Sequence, residues 1–280
     1  MQRYFLCLVL SVLALSTPAQ DEPGKDGEGI LVHQLANEGF LLVAGESAVL
    51  IDAFVAEPYS IYGALEGEAL DALHAGTGVF APVDLALASH VHRDHFQGEP
   101  AQRFLAARPD VVLATSPAVI DALWAAEAIS LDRIQEDAVR RHYPADGEEE
   151  VLEHAGIRVT FLALAHGPSP RDPTGNMGHV VTLGGVTALH VGDAAMLPER
   201  FARYRLPERG IDVAFVPYWY FQDRGGREIV EKHFRPAKLV ACHVPPRELE
   251  QVTRDLARDF PDVIVFQRAL ESRRFQDVRE

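Results

Sequence analysis

The sequence predicts an α/β protein in which two mixed β-sheets stack face to face and helices cover their outer faces. Strand-like apolar runs open each half of the chain, and helices and strands then alternate in both halves. No Pro/Ser-rich linker separates the halves, so we expect one domain over residues 30–267 rather than two.

The first half begins with three strands, and the short turns between them indicate an antiparallel meander. They cover residues 30–36, 39–44 and 47–53. An amphipathic helix is expected at 63–75, because apolar residues recur at helical spacing from Leu65 to Leu73. The elements that follow are a buried strand (83–89), a helix (99–109), a strand (110–116), a helix opening at Pro117 and a helical segment (130–143).

An acidic turn at residues 145–150 is the predicted midpoint, after which strands resume. The strands expected in this half lie at 157–165, 179–185, 186–193, 211–217, 238–244 and 262–267. Helices are expected from Arg227 and over 246–260, between the last three of these strands. The second half therefore repeats the organisation of the first.

The ends of the chain are predicted to lie outside this domain. Residues 1–20 combine Arg3, a twelve-residue apolar block and small residues, the pattern of a cleavable secretory signal peptide, with a retained anchor as the alternative. The block is shorter than the roughly 20 residues that span a bilayer, and no membrane span is expected in the mature chain. A flexible lead-in (21–29) and a C-terminal tail (268–280) complete the chain, and export predicts a periplasmic or secreted protein.

The formal net charge of −15 excludes nucleic acid as an expected partner, because so acidic a surface repels phosphate backbones. A small-molecule substrate is expected instead. The sequence leaves the oligomeric state open.

The segment SHVHRDH carries three histidines and an aspartate directly after a buried strand. Alternate residues of an extended segment point the same way, so His90 and His92 can bind one metal ion. Asp94 and His95 follow where the chain turns, and they can face a second position. Such a set of histidine and aspartate side chains suits zinc.

A two-metal site needs further ligands, and three candidates each follow an apolar strand. They are His166, Asp193 and His243. Asp52 also ends an apolar strand. We expect it to hydrogen-bond the ligand loop or a ligating histidine, with a turn-capping role as the alternative.

SHVHRDH, His166, HVGD and His243, in this order, resemble the motif series of the metallo-β-lactamase superfamily. The earlier segment GFLLVAGESAVLIDA resembles that family's opening hairpin, and the resemblance spans roughly residues 30–267. The segment GNMGHVVTLGGVTALHVGDAAM is most similar to the branch that contains ascorbate-6-phosphate lactonase and N-acyl-phosphatidylethanolamine phospholipase D.

The resemblance implies a four-layer αββα sandwich with two divalent metal ions, zinc first, with manganese or iron as alternatives. It assigns ligands as follows: His90, His92 and His166 to the first metal, Asp94, His95 and His243 to the second, and Asp193 to both. It also implies a hydrolase in which a hydroxide held by the metals attacks an ester, lactone, phosphoester or amide bond. Asp94 would orient that nucleophile.

Two other functions stay open at this point: an iron-dependent thiol or persulfide dioxygenase on the same fold, and a non-enzymatic metal-binding protein. The substrate pocket is predicted less sharply than the metal ligands. Its candidates are Tyr218, Trp219, Tyr220 and Phe221, with core packing or a lid hinge as the alternatives, and His179, which follows a Gly-rich turn.

Overall fold

Fourteen strands and seven helices make up the part of the chain that the computed structural model describes, residues 29–169 and 173–277. Those of the first half are β1 (Ile30–Ala36), β2 (Gly39–Ala44), β3 (Ser47–Ile51), α1 (Gly67–Ala75), β4 (Val83–Ala88), α2 (Gly98–Ala107), β5 (Val112–Thr115), α3 (Pro117–Ala125) and β6 (Val139–Arg141). Those of the second half are β7 (Glu149–His154), β8 (Ile157–Leu162), β9 (Gly178–Leu183), β10 (Val186–His190), α4 (Pro198–Phe201), β11 (Val213–Pro217), α5 (Trp219–Gln222), α6 (Arg224–Ile229), β12 (Lys238–Cys242), α7 (Leu249–Asp259), β13 (Val263–Val265) and β14 (Ser272–Phe275).

The strands form two seven-stranded sheets with matching topology. The first has the order β14-β1-β2-β3-β4-β5-β6, and the second has the order β13-β12-β11-β10-β9-β8-β7. The meander pairs are antiparallel in both sheets, whereas β3 to β6 and β10 to β13 pair in parallel. Loops that leave the carboxyl ends of the parallel strands therefore gather functional side chains, as is typical of layered α/β proteins.

Three apolar layers hold the sheets and helices together. Along β2, Phe40 and Leu42 face the layer between the sheets, whereas Leu41 faces the helices. Helices α1 to α3 cover the first sheet, with Phe104 fully buried, and α4 to α7 cover the second, with Phe201 buried. This arrangement confirms the predicted four-layer αββα sandwich.

The prediction of a helix over residues 130–143 is wrong. Two 3-10 turns, Leu131–Arg133 and Glu136–Ala138, lead into β6, which pairs in parallel with β5. Pairing at the edge of an existing sheet stabilises this segment more than an isolated helix would, because local propensity is a weak determinant beside tertiary contacts.

Besides β6, two further strands were not predicted from the sequence. β7 leaves the acidic turn and pairs with β8 along its whole length. β14 lies within the segment expected to be a tail, yet it pairs with β1 and places Phe275 in the layer between the sheets.

The predicted signal peptide and residues 21–28 of the lead-in lie outside the described residues. Within the described ranges, none of the helices combines the length and the hydropathy that crossing a bilayer requires.

Candidate metal centre

The loops after β4, β8, β10 and β12 place all seven predicted ligands at one edge of the sandwich, and Asp52 follows β3 at the same edge. Two of the turns have an unusual backbone, because Asp52 and His243 follow their strands directly and adopt positive φ angles of 46° and 59°. Non-glycine residues adopt such angles uncommonly, and functional sites are among the places where they do. The turns direct both side chains back across the sheet edge.

The ligands form two groups, each with donor atoms within 4.8 Å of one another. One contains His90, His92, His166 and Asp193, and the other contains Asp94, His95 and His243. The resemblance predicts the same grouping, except that it assigns Asp193 to both metals.

Asp193 lies between the two groups and faces both. Its Oδ2 is 3.3 Å from His166 Nε2 and 3.8 Å from His90 Nε2 on one side. The same oxygen is 3.6 Å from His95 Nε2 on the other side, where Oδ1 is 3.3 Å from His243 Nε2. One carboxylate can therefore serve two ions.

Carboxylates outweigh burial in setting the pKa of two buried histidines, His95 and His243. Burial disfavours the charged form of His243, but hydrogen bonds to Asp193 and Asp94 raise its pKa to about 9. His95 responds in the same way: burial opposes its charge, yet Asp193 and Asp52 raise its pKa well above the usual range. The carboxylates around these two histidines thus favour positive charge there, as a cation site requires.

The distances between the candidate ligand atoms fit divalent metal ions. His90 Nε2 lies 3.0 Å from His92 Nδ1, and His95 Nε2 lies 3.2 Å from His243 Nε2. Two ligand atoms each about 2.1 Å from one tetrahedral ion are themselves about 3.4 Å apart. The buried Oδ1 of Asp193 faces His243 Nε2 at 3.3 Å without a well-aligned hydrogen bond, and a metal ion there would satisfy both atoms.

Asp52 supports one histidine of each group, as expected from its strand-end position. Its Oδ2 accepts from His95 Nδ1 at 2.8 Å and from the Ser89 hydroxyl at 2.5 Å, and its Oδ1 accepts from the Ser89 amide at 2.6 Å. Because the hydroxyl proton of Ser89 goes to Asp52, His90 Nδ1, 3.0 Å from Ser89 Oγ, must be the donor there. Both histidines then keep Nε2 free for a metal.

The sequence did not identify two buried residues of the β1–β2 turn beneath the centre. Asn37 donates to Asp94 Oδ2 at 3.0 Å and so fixes that ligand. Glu38 is fully buried and accepts from the thiol of Cys242 at 3.3 Å. Burial, with the nearby Asp193 carboxylate, raises the pKa of Glu38.

Two further residues missed by the sequence hold the ligand loops in place. Asn176 Oδ1 accepts from the Asp193 amide at 3.2 Å, while its Nδ2 donates to the Leu164 carbonyl. The buried guanidinium of Arg200 donates to the Gly167 and Pro168 carbonyls at 2.9 and 2.8 Å, directly after His166. Polar residues far apart in sequence leave no local pattern, so only the fold reveals these roles.

The predicted pocket residues separate into two sets. Trp219 lies at the site, with its ring centroid 4.8 Å from that of His243, and Tyr218 packs against Trp219. Tyr220 and Phe221 are instead buried in the layer beneath α5, in agreement with core packing, which was one alternative for these residues. The Tyr220 hydroxyl donates to the Ala194 carbonyl.

His179 corrects another part of that prediction. It has no exposed surface and lies between the sheets, near His190 and edge-on to Phe161. Burial lowers its pKa to about 3, so it is neutral. A side chain in this position packs in the core rather than lining a substrate pocket.

A model of the Beta-lactamase superfamily domain matches residues 48–260, which include all seven predicted ligands. The chain belongs to the metallo-β-lactamase superfamily. A curated relative, a UPF0173 metal-dependent hydrolase of Thermus thermophilus, is 27% identical over 216 residues, which cover 76% of this chain and 82% of the relative.

Solved structures share the architecture. A possible metal-dependent hydrolase from Veillonella parvula matches with a TM-score of 0.59 at 18% identity, over 88% of this chain and 99% of that chain. YhfI from Bacillus subtilis, a metallo-beta-lactamase fold protein, matches with a TM-score of 0.59 at 15% identity and the same coverage. At these identities the likeness establishes the fold.

Gly192 offers a test of how tightly this metallo-β-lactamase centre is packed. Its φ is +54°, and a Cβ there would lie 2.5 Å from Asn176 Oδ1 and 2.7 Å from Ser89 Cβ. We expect Gly192→Ala to destabilise the protein by about 1–3 kcal/mol and to weaken metal binding about 10- to 100-fold.

Urea unfolding and chelator competition measure both effects of this substitution. Gly156→Ala is the matched control, because Gly156 has a φ of +77° but open space around it. It carries the same backbone strain without the contact. Equal effects of the two variants would contradict the packing argument.

Proposed function

We propose that this metallo-hydrolase holds two divalent metal ions, zinc first, and cleaves an ester, lactone, phosphoester or amide bond of a small molecule. The observation that carries the proposal is the position of Asp193, which faces a donor group on each side. Mixed imidazole and carboxylate ligands with thiolates absent from the set suit zinc, with manganese or iron as alternatives.

The bound metals would lower the pKa of a water molecule and polarise the scissile bond. The chain's own residues supply orientation. Asp94, fixed by Asn37 and 3.3 Å from His243 Nε2, would orient the attacking water through its carboxylate. His166, with 34% of its side chain exposed, and the half-buried His92 would mark the side from which a substrate enters, because the other histidine ligands are buried.

Metal removal tests this function directly. We expect the isolated protein to contain two zinc ions per chain and to hydrolyse at least one member of an ester, lactone, phosphodiester and amide panel. Extended dialysis against a chelator should abolish the activity, and stoichiometric zinc should restore it, because the water loses its activation with the metals.

Other outcomes would select the alternatives. One iron per chain with oxygen consumption on thiol or persulfide substrates would support the dioxygenase and contradict our proposal. Full metal loading without activity on the whole panel would support a non-enzymatic metal-binding protein. The complete second group of Asp94, His95 and His243 favours the hydrolase, since the dioxygenase would need fewer ligands.

We also propose that the protein is exported, from the signal-peptide pattern of residues 1–20. Amino-terminal sequencing of the protein from fractionated cells tests this. A start near Gln20 in the periplasm or medium is expected, whereas an intact Met1 in the cytoplasm would contradict export.

A further inference from the structure

Two aromatic rings flank the same histidine at the mouth of the centre. The ring centroid of Tyr62 lies 4.6 Å from that of His243, with the planes at 88°, and the ring of Trp219 lies 4.8 Å away, with the planes at 67°. Both aromatic side chains remain partly exposed, whereas His243 between them is buried. The remaining ring surface faces outward beside a predicted metal ligand.

The loop that carries Tyr62 continues this apolar surface. Tyr59 and Ile61 are 49% and 52% exposed, so two large apolar side chains face solvent on one short loop. The Tyr62 amide donates to the Tyr59 carbonyl at 2.9 Å, which folds the loop into a turn and keeps these side chains together. Clustered apolar exposure at a cleft is typical of ligand-binding surfaces.

The charges around this surface disfavour an anionic ligand group. The Tyr218 hydroxyl donates to the carboxylate of Glu248 at 3.1 Å, which places a negative charge on the same rim. Arg93, in the ligand loop, donates to both the carbonyl and the carboxylate of Glu57. Its guanidinium is thus already engaged with an acid.

From this geometry we propose that Tyr62 and Trp219 form a subsite for an uncharged aromatic or branched aliphatic group of the substrate, next to the bond that is cleaved. The inference rests on the proposed hydrolase function and narrows its substrate class. It favours a hydrophobic ester, lactone or amide over a substrate whose substituent at this position is anionic. Tyr62 and Trp219 would then determine specificity.

A binding experiment tests the subsite without requiring turnover. The chain contains two tryptophans, so Trp124→Phe leaves Trp219 as the fluorescent reporter. In this background, titration of the metal-loaded protein with acetophenone, a neutral aryl ketone, should quench Trp219 saturably. Tyr62→Ala should weaken binding about tenfold, and Tyr62→Phe should retain it, because ring contact is what the subsite offers.

A kinetic experiment tests the specificity. Phenyl acetate should be hydrolysed with a higher kcat/KM than methyl acetate, and Tyr62→Ala should reduce the ratio of these two kcat/KM values about tenfold. The ester 4-acetoxybenzoate, which adds a carboxylate on the far side of the ring, should be the poorer aryl substrate. Val151→Ala is the control, since Val151 is 46% exposed on the edge strand β7.

The outcomes separate this inference from the proposed function. If acetophenone does not quench Trp219 saturably, or binds equally well to Tyr62→Ala, the subsite is refuted even when the enzyme is active. Equal efficiency on phenyl acetate and 4-acetoxybenzoate would also refute it. If acetophenone binds as expected but the whole substrate panel stays intact, the subsite stands and the hydrolase proposal fails.

Discussion

Replacing Asp193 with asparagine is expected to prevent the protein from holding two metal ions at once and to lower kcat about 10³-fold or more. Asp193 places one oxygen or the other within 3.3 to 3.8 Å of histidines from both ligand groups. An amide keeps the shape of the side chain but loses the negative charge. Burial opposes ionisation of Asp193, yet His95 and His166 hold its pKa well below the usual range, so the native side chain is a carboxylate.

Metal content per chain, measured after gel filtration, and kcat on the best panel substrate check this expectation. Asp121→Asn is the matched control, because Asp121 is exposed on α3 and far from the ligands in sequence. The far-ultraviolet circular dichroism of both variants should match the parent. Two retained metals with undiminished kcat in Asp193→Asn would contradict the bridging role.

The sequence could predict the candidate metal centre because each segment that carries ligands follows a strand with a clear apolar run. The parallel strands β4 and β12 are buried on both faces, so they read as continuous hydrophobic segments with a polar residue at the end. Strand ends that share an edge of the sandwich bring His95 and His243 together, with their Nε2 atoms 3.2 Å apart, although 148 positions separate them in the sequence. A motif that directly follows an apolar strand therefore reveals its own position in the fold.

The supporting residues could not be predicted in this way. Asn37 and Glu38 occupy an ordinary hairpin turn, where polar residues usually cap the backbone. Their burial beneath the centre follows from the second sheet stacking on the first, as the contact of Glu38 with Cys242 illustrates. A contact between residues 204 positions apart leaves no trace in local periodicity.

The aromatic run after β11 shows a further limit of pattern reading. Tyr218 and Trp219 reach the rim, while the next two residues turn inward because α5 begins at Trp219. Helical geometry sends successive side chains in different directions, so composition alone cannot divide pocket from core. A helix of four residues is about one turn long, too short for the spacing of apolar residues to reveal where it starts.

Replacing Asp52 is expected to have the largest effect on stability. Its fully buried carboxylate accepts hydrogen bonds from Ser89 and from His95 Nδ1. Asp52→Asn would place an amide nitrogen against groups that donate, and we expect a loss of about 3–5 kcal/mol, the usual cost of leaving a buried charged partner unpaired. The amide would also favour the wrong tautomer of His95, with the proton on Nε2, and weaken metal binding about 10- to 100-fold.

The pH dependence of stability follows from the same contacts. Burial opposes ionisation of Asp52, but hydrogen bonding to His95 outweighs it and lowers the pKa of the carboxyl in the folded state. The stabilisation is therefore complete above the unfolded-state pKa of about 4 and is lost as pH falls toward the folded-state value. Urea denaturation of the metal-free protein measures the difference in unfolding free energy between wild type and Asp52→Asn. We expect this difference to be full at neutral pH and to shrink as the pH falls below the unfolded-state pKa of about 4.

Ser89→Ala separates the two contacts of Asp52. It removes the hydroxyl that links Asp52 to His90 but leaves the bond to His95 in place, so it should cost less stability than Asp52→Asn. Ser89→Ala should weaken metal binding at the ligand group that contains His90. Asp52→Asn should also weaken metal binding at the group that contains His95. If Asp52→Asn instead unfolds at the same urea concentration as wild type at neutral pH, the carboxylate merely fills space at the end of β3.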